Sequence, residues 1–156
     1  MKRDERLVEL SREHHAALKL ARQLKRAPSS RRERDVLSQT VQALRIDLEF
    51  HFEEEEVRLL PVLWLCGRAD LAERLCSEHV ELRALLGEAV GGRALERLGK
   101  VLEAHVRFEE REMFPFLEAY WTGSEALRER DPGFSADAPV WMRGRAAMHS
   151  VNLGGR

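Results

Sequence analysis

The chain has 156 residues, 44% of them apolar and 34% charged, which suits one domain with a single buried core. Its 26 Lys and Arg residues offset 27 Asp and Glu residues, so no basic field is available for nucleic acid and we expect no such partner. The polar N-terminus precedes no long apolar run and the two cysteines form no CxxC pair, so we expect a cytoplasmic protein without a signal peptide or membrane helix.

The first half of the chain contains two predicted helices. Apolar periodicity indicates a first helix over about residues 4–27, which stops before a proline. A second helix begins near Ser30, because Ser30 and Glu33 have the spacing of a capping box. It ends within residues 61–67, where a proline and a glycine interrupt the pattern.

The second half repeats this arrangement. A third helix starts at Asp70, which can cap it, and stops at residues 91–92, which are both glycine. A fourth helix has an apolar stripe from Leu95 to Phe116 and ends near residues 121–123. Four amphipathic helices with short connections predict an all-α fold, an antiparallel up-down-up-down four-helix bundle.

The bundle is expected to occupy residues 1–122, and residues 123–156 form a C-terminal extension. Residues 125–130 favour one short helix, and the remainder is irregular because it is rich in proline, glycine and small residues. Apolar side chains in this tail indicate that part of it docks against an apolar surface; they are Phe134, Trp141 and Met142.

Each predicted helix has a histidine on its apolar stripe, and the second and fourth helices add a glutamate four residues later. These six residues are His14, His51, Glu55, His79, His105 and Glu109. Two buried carboxylates close together are costly unless cations compensate their charge. Imidazole nitrogens and shared carboxylate oxygens suit a pair of metal ions in a bundle core. The sequence therefore predicts a two-metal centre inside the bundle.

The ligand pattern occurs once in each half of the chain. Residues 13–14 and 78–79 are both Glu-His, and residues 51–61 match residues 105–115, each running from a histidine to a proline ten residues later. Each half would supply two histidines and one glutamate, which predicts a site with pseudo-twofold symmetry.

Two assignments within this set stay open. The helix lengths around His14 and His51 do not match, so either the connection extends to about Asp35 or the first helix is longer than predicted. His15 would replace His14 if the first helix were rotated, although it shares a face with charged residues. Glu110 is the corresponding alternative to Glu109. The surrounding acids are interpreted as the solvated flank of the second helix; they are Glu53, Glu54 and Glu56.

The order of these motifs resembles the hemerythrin-like, HHE cation-binding family over about residues 4–121. The motifs are Glu-His, His-x-x-x-Glu-Glu-x-x-x-x-Pro, Glu-His-x-x-Leu-Arg and a second His-x-x-x-Glu-Glu-x-x-x-x-Pro. The resemblance implies a bundle around two iron ions with an oxo or hydroxo bridge. Manganese and zinc would accept the same ligand types.

One position departs from the oxygen-carrying hemerythrins, which have a further histidine where this chain has Arg83. Arginine stays protonated and cannot ligate a metal, so we interpret Arg83 as part of a surface or interhelical ion pair. The four-histidine, two-glutamate set is more similar to the di-iron domain of bacterial proteins that repair iron–sulfur clusters.

The resemblance implies a metal-binding protein of oxidative or nitrosative stress. It would handle O2, NO or peroxide, or would sense or donate iron, with a redox or iron-acceptor protein as a partner. Two alternatives remain: a di-iron enzyme that metabolises NO or peroxide, and a non-redox bundle in which the metal is structural or regulatory. We expect ligand or metal binding ahead of a dedicated catalytic role.

Overall fold

A computed structural model describes residues 3–26, 28–88 and 92–130, and these residues form the predicted all-α antiparallel four-helix bundle without any strand. The elements are a 3-10 turn at Glu5–Leu7, α1 at Val8–Lys25, α2 at Arg31–Arg58, α3 at Leu60–Leu65, α4 at Ala69–Glu88, α5 at Gly92–Phe108, a π-helical segment at Glu109–Met113 and α6 at Phe114–Arg130. The second helix of the bundle comprises α2 and α3, and the fourth comprises α5, the π-helical segment and α6. Within the described ranges, no helix has the length and apolar character needed to cross a membrane.

The capping box at the start of α2 is present. The Ser30 side chain accepts a hydrogen bond from the Glu33 N–H at 3.1 Å, and the Glu33 carboxylate accepts one from the Ser29 N–H at 2.7 Å. The glutamate therefore returns to the residue before the cap rather than to the cap itself. The first bond satisfies an N–H group that the first turn of the helix leaves unpaired, and the second fixes the residue before the cap against the helix.

The third helix begins earlier than predicted, at Ala69 rather than after Asp70. Because α4 starts at Ala69, Asp70 lies inside the first turn and does not cap the helix. The Asp70 carboxylate instead accepts two hydrogen bonds from the Arg68 guanidinium, at 2.7 and 2.8 Å. Its negative charge near the helix N-terminus remains favourable to the helix dipole.

The fourth helix is longer than predicted, because α6 continues through Gly123 to Arg130. A glycine inside a helix costs roughly 1 kcal/mol relative to alanine, and residues 124–130 consist mainly of good helix formers that offset it. Residues 131–156, where the irregular tail is predicted, lie outside the described residues, as do Ala27 and Gly91 at the predicted helix ends.

The unequal helix lengths around His14 and His51 have a simple explanation. α2 starts at Arg31, so neither a connection reaching Asp35 nor a longer first helix is needed. Residues 31–36 are all exposed, because the first turns of α2 extend past the end of α1. His14 and His51 still meet at the same level, with ring centroids 5.0 Å apart.

The apolar core consists of two clusters on either side of a layer of histidines and glutamates. In the first and third helices the buried histidine separates residues of one cluster from residues of the other; in the second and fourth helices the first cluster extends one residue past the histidine, to Phe52 and Val106. The first cluster includes Leu20, Leu24, Val41, Leu48, Leu86, Leu98 and Leu102. The second includes Leu7, Leu10, Leu59, Leu63, Leu75, Phe114 and Leu117.

Gly99 allows the first and fourth helices to approach closely. A Cβ atom at this position would lie 2.8 Å from the carbonyl oxygen of Ala21 and 2.8 Å from the Cβ of Leu24. Both distances are shorter than ordinary van der Waals contact. Any larger residue would therefore push α1 and α5 apart.

A π-helical turn follows the glutamate of the fourth helix. The Phe114 N–H donates to the carbonyl oxygen of Glu109, five residues earlier, which adds one residue to the turn. The buried face therefore moves by one position, so that Phe114 and Leu117 are buried while Phe116, the predicted end of the stripe, is only half-buried. The second helix is interrupted at the repeat-related place, at Leu59.

Candidate metal centre

The structure brings the six predicted residues together in the polar layer. Glu55, His79 and Glu109 have no exposed surface, and the other three are at most 6% exposed. The six are His14, His51, Glu55, His79, His105 and Glu109. One histidine comes from each helix of the bundle, and the glutamates come from the second and fourth helices.

Two overlapping groups of ligand atoms result, and they share both glutamates. In the first, potential ligand atoms of His14, His51, Glu55 and Glu109 all lie within 4.8 Å of one another. In the second, the same is true of Glu55, Glu109 and the other two histidines, which are His79 and His105. Each group could hold one metal ion, and a carboxylate common to both groups can bridge two ions.

The histidine nitrogens and glutamate oxygens that face the centre of this layer do not form hydrogen bonds with one another. The Nε2 atoms of His14 and His105 lie 3.0 and 3.1 Å from oxygens of Glu109, and the Nε2 atom of His79 lies 3.3 Å from an oxygen of Glu55. Within the described residues, none of these three nitrogens makes a hydrogen bond of acceptable geometry. Both oxygens of each glutamate are likewise without such a partner. Buried polar groups without partners are rare and cost about 1–3 kcal/mol each. The donor set and its geometry fit divalent cations, which would bind these atoms.

The pKa values show how strongly the charges in the layer interact. Burial raises the pKa of Glu55, and the nearby Glu109 carboxylate raises it further, to about 8. Burial lowers the pKa of His14 and His105, but neighbouring carboxylates, chiefly Glu109, outweigh burial and raise them to about 9 and about 10. In the absence of cations, the layer therefore retains protons at neutral pH.

Every histidine of the layer also contacts an outer carboxylate through its other ring nitrogen. The Nδ1 to oxygen distances are 2.7 Å for His14 and Glu110, 2.6 Å for His51 and Glu13, 2.7 Å for His79 and Glu56, and 2.9 Å for His105 and Glu78. A carboxylate that accepts from Nδ1–H holds the ring in place and leaves the Nε2 lone pair free to face inward. Carboxylate–histidine pairs of this kind are typical of metal sites.

These outer pairs follow the twofold repeat of the sequence. Glu13 and Glu78 each precede a buried histidine and contact the histidine of the next helix. Glu56 and Glu110 each follow a buried glutamate and contact a histidine of the opposite half. The repeated Glu-His and Glu-Glu pairs were the sequence signal for this ring of carboxylates.

The interpretation of Glu56 as solvated flank was wrong. Its Oε1 accepts from both His79 and Arg83, each at 2.7 Å, and Arg83 also donates to Glu49 at 2.6 Å. Burial raises the pKa of Glu56, but the bonds to Arg83 and His79 outweigh burial and lower it. Arg83 forms the predicted interhelical ion pair and lies behind His79, outside the polar layer.

The structure places the two residues of each open assignment differently. Glu109 lies in the layer, and Glu110 lies outside it, where it accepts from His14, from the Ser11 hydroxyl at 2.6 Å and from Arg3. His15 is exposed, with Nδ1 3.1 Å from the carbonyl oxygen of Ser11. Glu53 is exposed, and Glu54 pairs with Arg58 on the surface, as expected.

A groove of about 280 Å³ between α1 and α2 leads to one side of the layer. Its lining is largely apolar and includes three polar residues; it comprises Ala16, Ala17, Leu20, Leu44, Leu48, Phe50, Asp47, Glu13 and His51. The repeat-related position of Ala17 in the other half is Leu82, which is fully buried. Accordingly, His51 is 6% exposed, whereas its counterpart His105 is 1% exposed.

Comparisons with known proteins agree with this geometry. The family model described as the hemerythrin HHE cation binding domain matches residues 6–117, which is well over half of the chain and includes all six residues of the layer. Neither the curated proteins nor the solved structures gave a match.

Proposed function

Because the chain belongs to the hemerythrin HHE cation-binding family, we propose that it is a cytoplasmic non-haem di-iron protein. It acts in oxidative or nitrosative stress, where it binds or reacts with O2, NO or peroxide, or senses or donates iron. The observation that carries the proposal is the pair of overlapping ligand groups that share Glu55 and Glu109. Two groups with two common carboxylates suit two adjacent ions.

The ligand types favour iron over magnesium, calcium or copper(I). Four imidazoles and two carboxylates form a nitrogen and oxygen donor set of intermediate softness, without thiolates. Bound iron would supply redox chemistry and coordination positions that the protein ligands do not fill. Because manganese and zinc accept the same donors, the experiment must compare the metals directly.

The chain's own residues would hold this centre rigid and dry. The outer carboxylates fix the four imidazole rings, as described above. Phe52 lies 4.5 Å from the His79 ring, and Phe114 stacks on the His14 ring at 5.4 Å, measured between centroids. Both phenylalanines are at most 1% exposed, so they exclude water from two sides of the polar layer.

The groove beside His51 supports a small uncharged ligand. Alanine and leucine side chains form most of its walls, and such a lining admits O2 or NO more readily than a hydrated anion. In the other half of the repeat, the residue that matches Ala17 is the larger Leu82, which is fully buried. Ligands would therefore approach the His14 and His51 side of the centre.

The direct experiment is anaerobic loading of the full chain with Fe(II), followed by metal analysis and optical spectra before and after addition of O2, NO or peroxide. We expect about two irons per chain and a metal-dependent spectrum that changes with at least one of these ligands. Competition with Mn(II) and Zn(II) at equal concentration tests metal identity.

Ligand-independent spectra would contradict the proposed reaction with small molecules. Selective retention of zinc or manganese in the competition would contradict the assignment of iron, and would favour a structural or regulatory role for the metal. The His15→Ala variant serves as the control, since His15 lies on the surface next to the layer and should load like the natural chain.

A further inference from the structure

The outward face of α2 carries an apolar stripe that the fold does not use. Phe50, Ile46 and Val57 are 66%, 65% and 74% exposed, and Val36 is 55% exposed. Val36, Ala43, Phe50 and Val57 are each seven residues apart, and Ile46 lies three residues after Ala43. Apolar residues with this spacing form the seam of paired helices. The buried residues of α2 lie on its opposite side, so this stripe faces away from the bundle.

The internal repeat provides a control for this observation. At the positions that match Ala43, Ile46, Phe50 and Val57, the fourth helix has Arg97, Lys100, Ala104 and Arg111, and all four are exposed; the position that matches Val36 lies outside the described residues. Three of these four residues are charged and Ala104 is small, so the fourth helix carries no large apolar side chain at these four positions. Because the bundle does not require apolar residues here, the stripe on α2 indicates a binding surface.

We infer that this face, together with the adjoining groove, binds the same face of a second copy of this chain in antiparallel orientation. The inference does not depend on the proposed metal chemistry. Phe50 borders the apolar groove between α1 and α2 and also lines a shallow hollow on the outer side of α2, together with Arg45, Ile46 and Glu53. A projecting aromatic side chain beside an apolar groove is self-complementary across a twofold axis.

The charges along α2 favour the antiparallel arrangement. Residues 31–45 contain four arginines and two acids, whereas residues 46–58 contain one arginine and six acids, of which only Glu55 is fully buried. A twofold axis near Glu49 would bring Phe50 of one helix to the groove of the other and would place Arg45 of one helix beside Glu53 of the other. A parallel arrangement would place like charges together.

The test is the molecular mass of the full chain in solution, measured by sedimentation at several concentrations. We expect a dimer in the micromolar range, and we expect Phe50→Glu to raise the dissociation constant about thirtyfold or more, because it places a charge in the apolar seam. Val80→Glu is the matched control, since Val80 is 67% exposed but lies on α4, and this variant should remain dimeric. Helical circular dichroism of each variant verifies folding.

A monomeric natural chain would overturn the inference, and would be expected if another segment or another protein covers the stripe. A dimer that persists unchanged in Phe50→Glu would also overturn it. The orientation has its own test: Arg45→Glu should weaken the dimer, and adding Glu53→Arg to that variant should restore it. A double variant as weak as the single one would exclude the antiparallel arrangement.

Discussion

Glu56 and His79 join the two halves of the candidate metal centre. The Nδ1–H of His79 donates to Oε1 of Glu56 at 2.7 Å, and the two residues come from the second and third helices of the bundle. Glu110 and His14 make the symmetric link between the fourth and first helices. Each half of the repeat therefore orients a histidine of the other half.

The first prediction concerns this link. Glu56→Ala removes the acceptor that orients His79 and the partner of Arg83, so the affinity for metal should fall by about tenfold to a hundredfold. Competition with a chelator measures the change. Glu53→Ala is the control, because Glu53 is exposed and lies three residues away on the same helix. Equal affinities in the two variants would show that the outer carboxylate does not support the ligand.

The second prediction distinguishes the two neighbouring histidines. His14→Ala should lose metal and lower the melting temperature of the loaded protein, because metal binding stabilises the folded state. His15→Ala should change neither property, since this ring is exposed. Metal content and thermal unfolding of both variants, measured with and without metal, test the prediction. Loss of metal only in His15→Ala would mean that the first helix is rotated from the orientation described here.

The third prediction is that metal uptake releases protons. In the metal-free protein the pKa values of Glu55, His14 and His105 are raised to about 8, 9 and 10, so these groups hold protons at pH 7. Binding through their inward atoms displaces those protons, and metal affinity should therefore fall as the pH is lowered from about 10. A pH-indicator dye in weakly buffered solution measures the release. Loading at pH 7 without any proton release would contradict these pKa directions.

The fourth prediction compares two glycines. Gly99→Ala should lower the free energy of unfolding by about 1–3 kcal/mol, because the added methyl group collides with α1. Gly123→Ala should raise it by about 0.5–1 kcal/mol, because this glycine lies within α6 with open space around its Cβ position. Chemical denaturation of both variants gives the two values. A neutral Gly99→Ala would show that the helices can separate at little cost.

The bundle and the polar layer could be predicted from the sequence for a physical reason. Burial of a histidine or glutamate on an apolar stripe is unfavourable, so six such residues at repeat-related positions stand out against the leucines around them. The relative depth of the helices was harder to predict, because the capping signal shows where α2 begins but not how far its charged first turns extend past the end of α1.

The outer carboxylates could not be assigned from periodicity alone. Glu56 is one residue after Glu55, which turns it about 100° away from the core on its own helix, and such a position is usually solvated. Glu56 is nevertheless partly buried, because the ring of His79 on the neighbouring helix extends outward to it. The π-helical turn was also not predicted, because one extra residue in a helical turn leaves no mark on the local composition. It is visible only in the structure, where Phe114 and Leu117 are buried.

The most direct test of the metal centre is X-ray diffraction from crystals of the iron-loaded chain, with data collected on both sides of the iron absorption edge. We expect two anomalous peaks between Glu55 and Glu109, one beside His14 and His51 and the other beside His79 and His105. A single peak would contradict the two-metal centre. Peaks elsewhere, or none in crystals that contain iron, would contradict the assignment of these six residues as ligands.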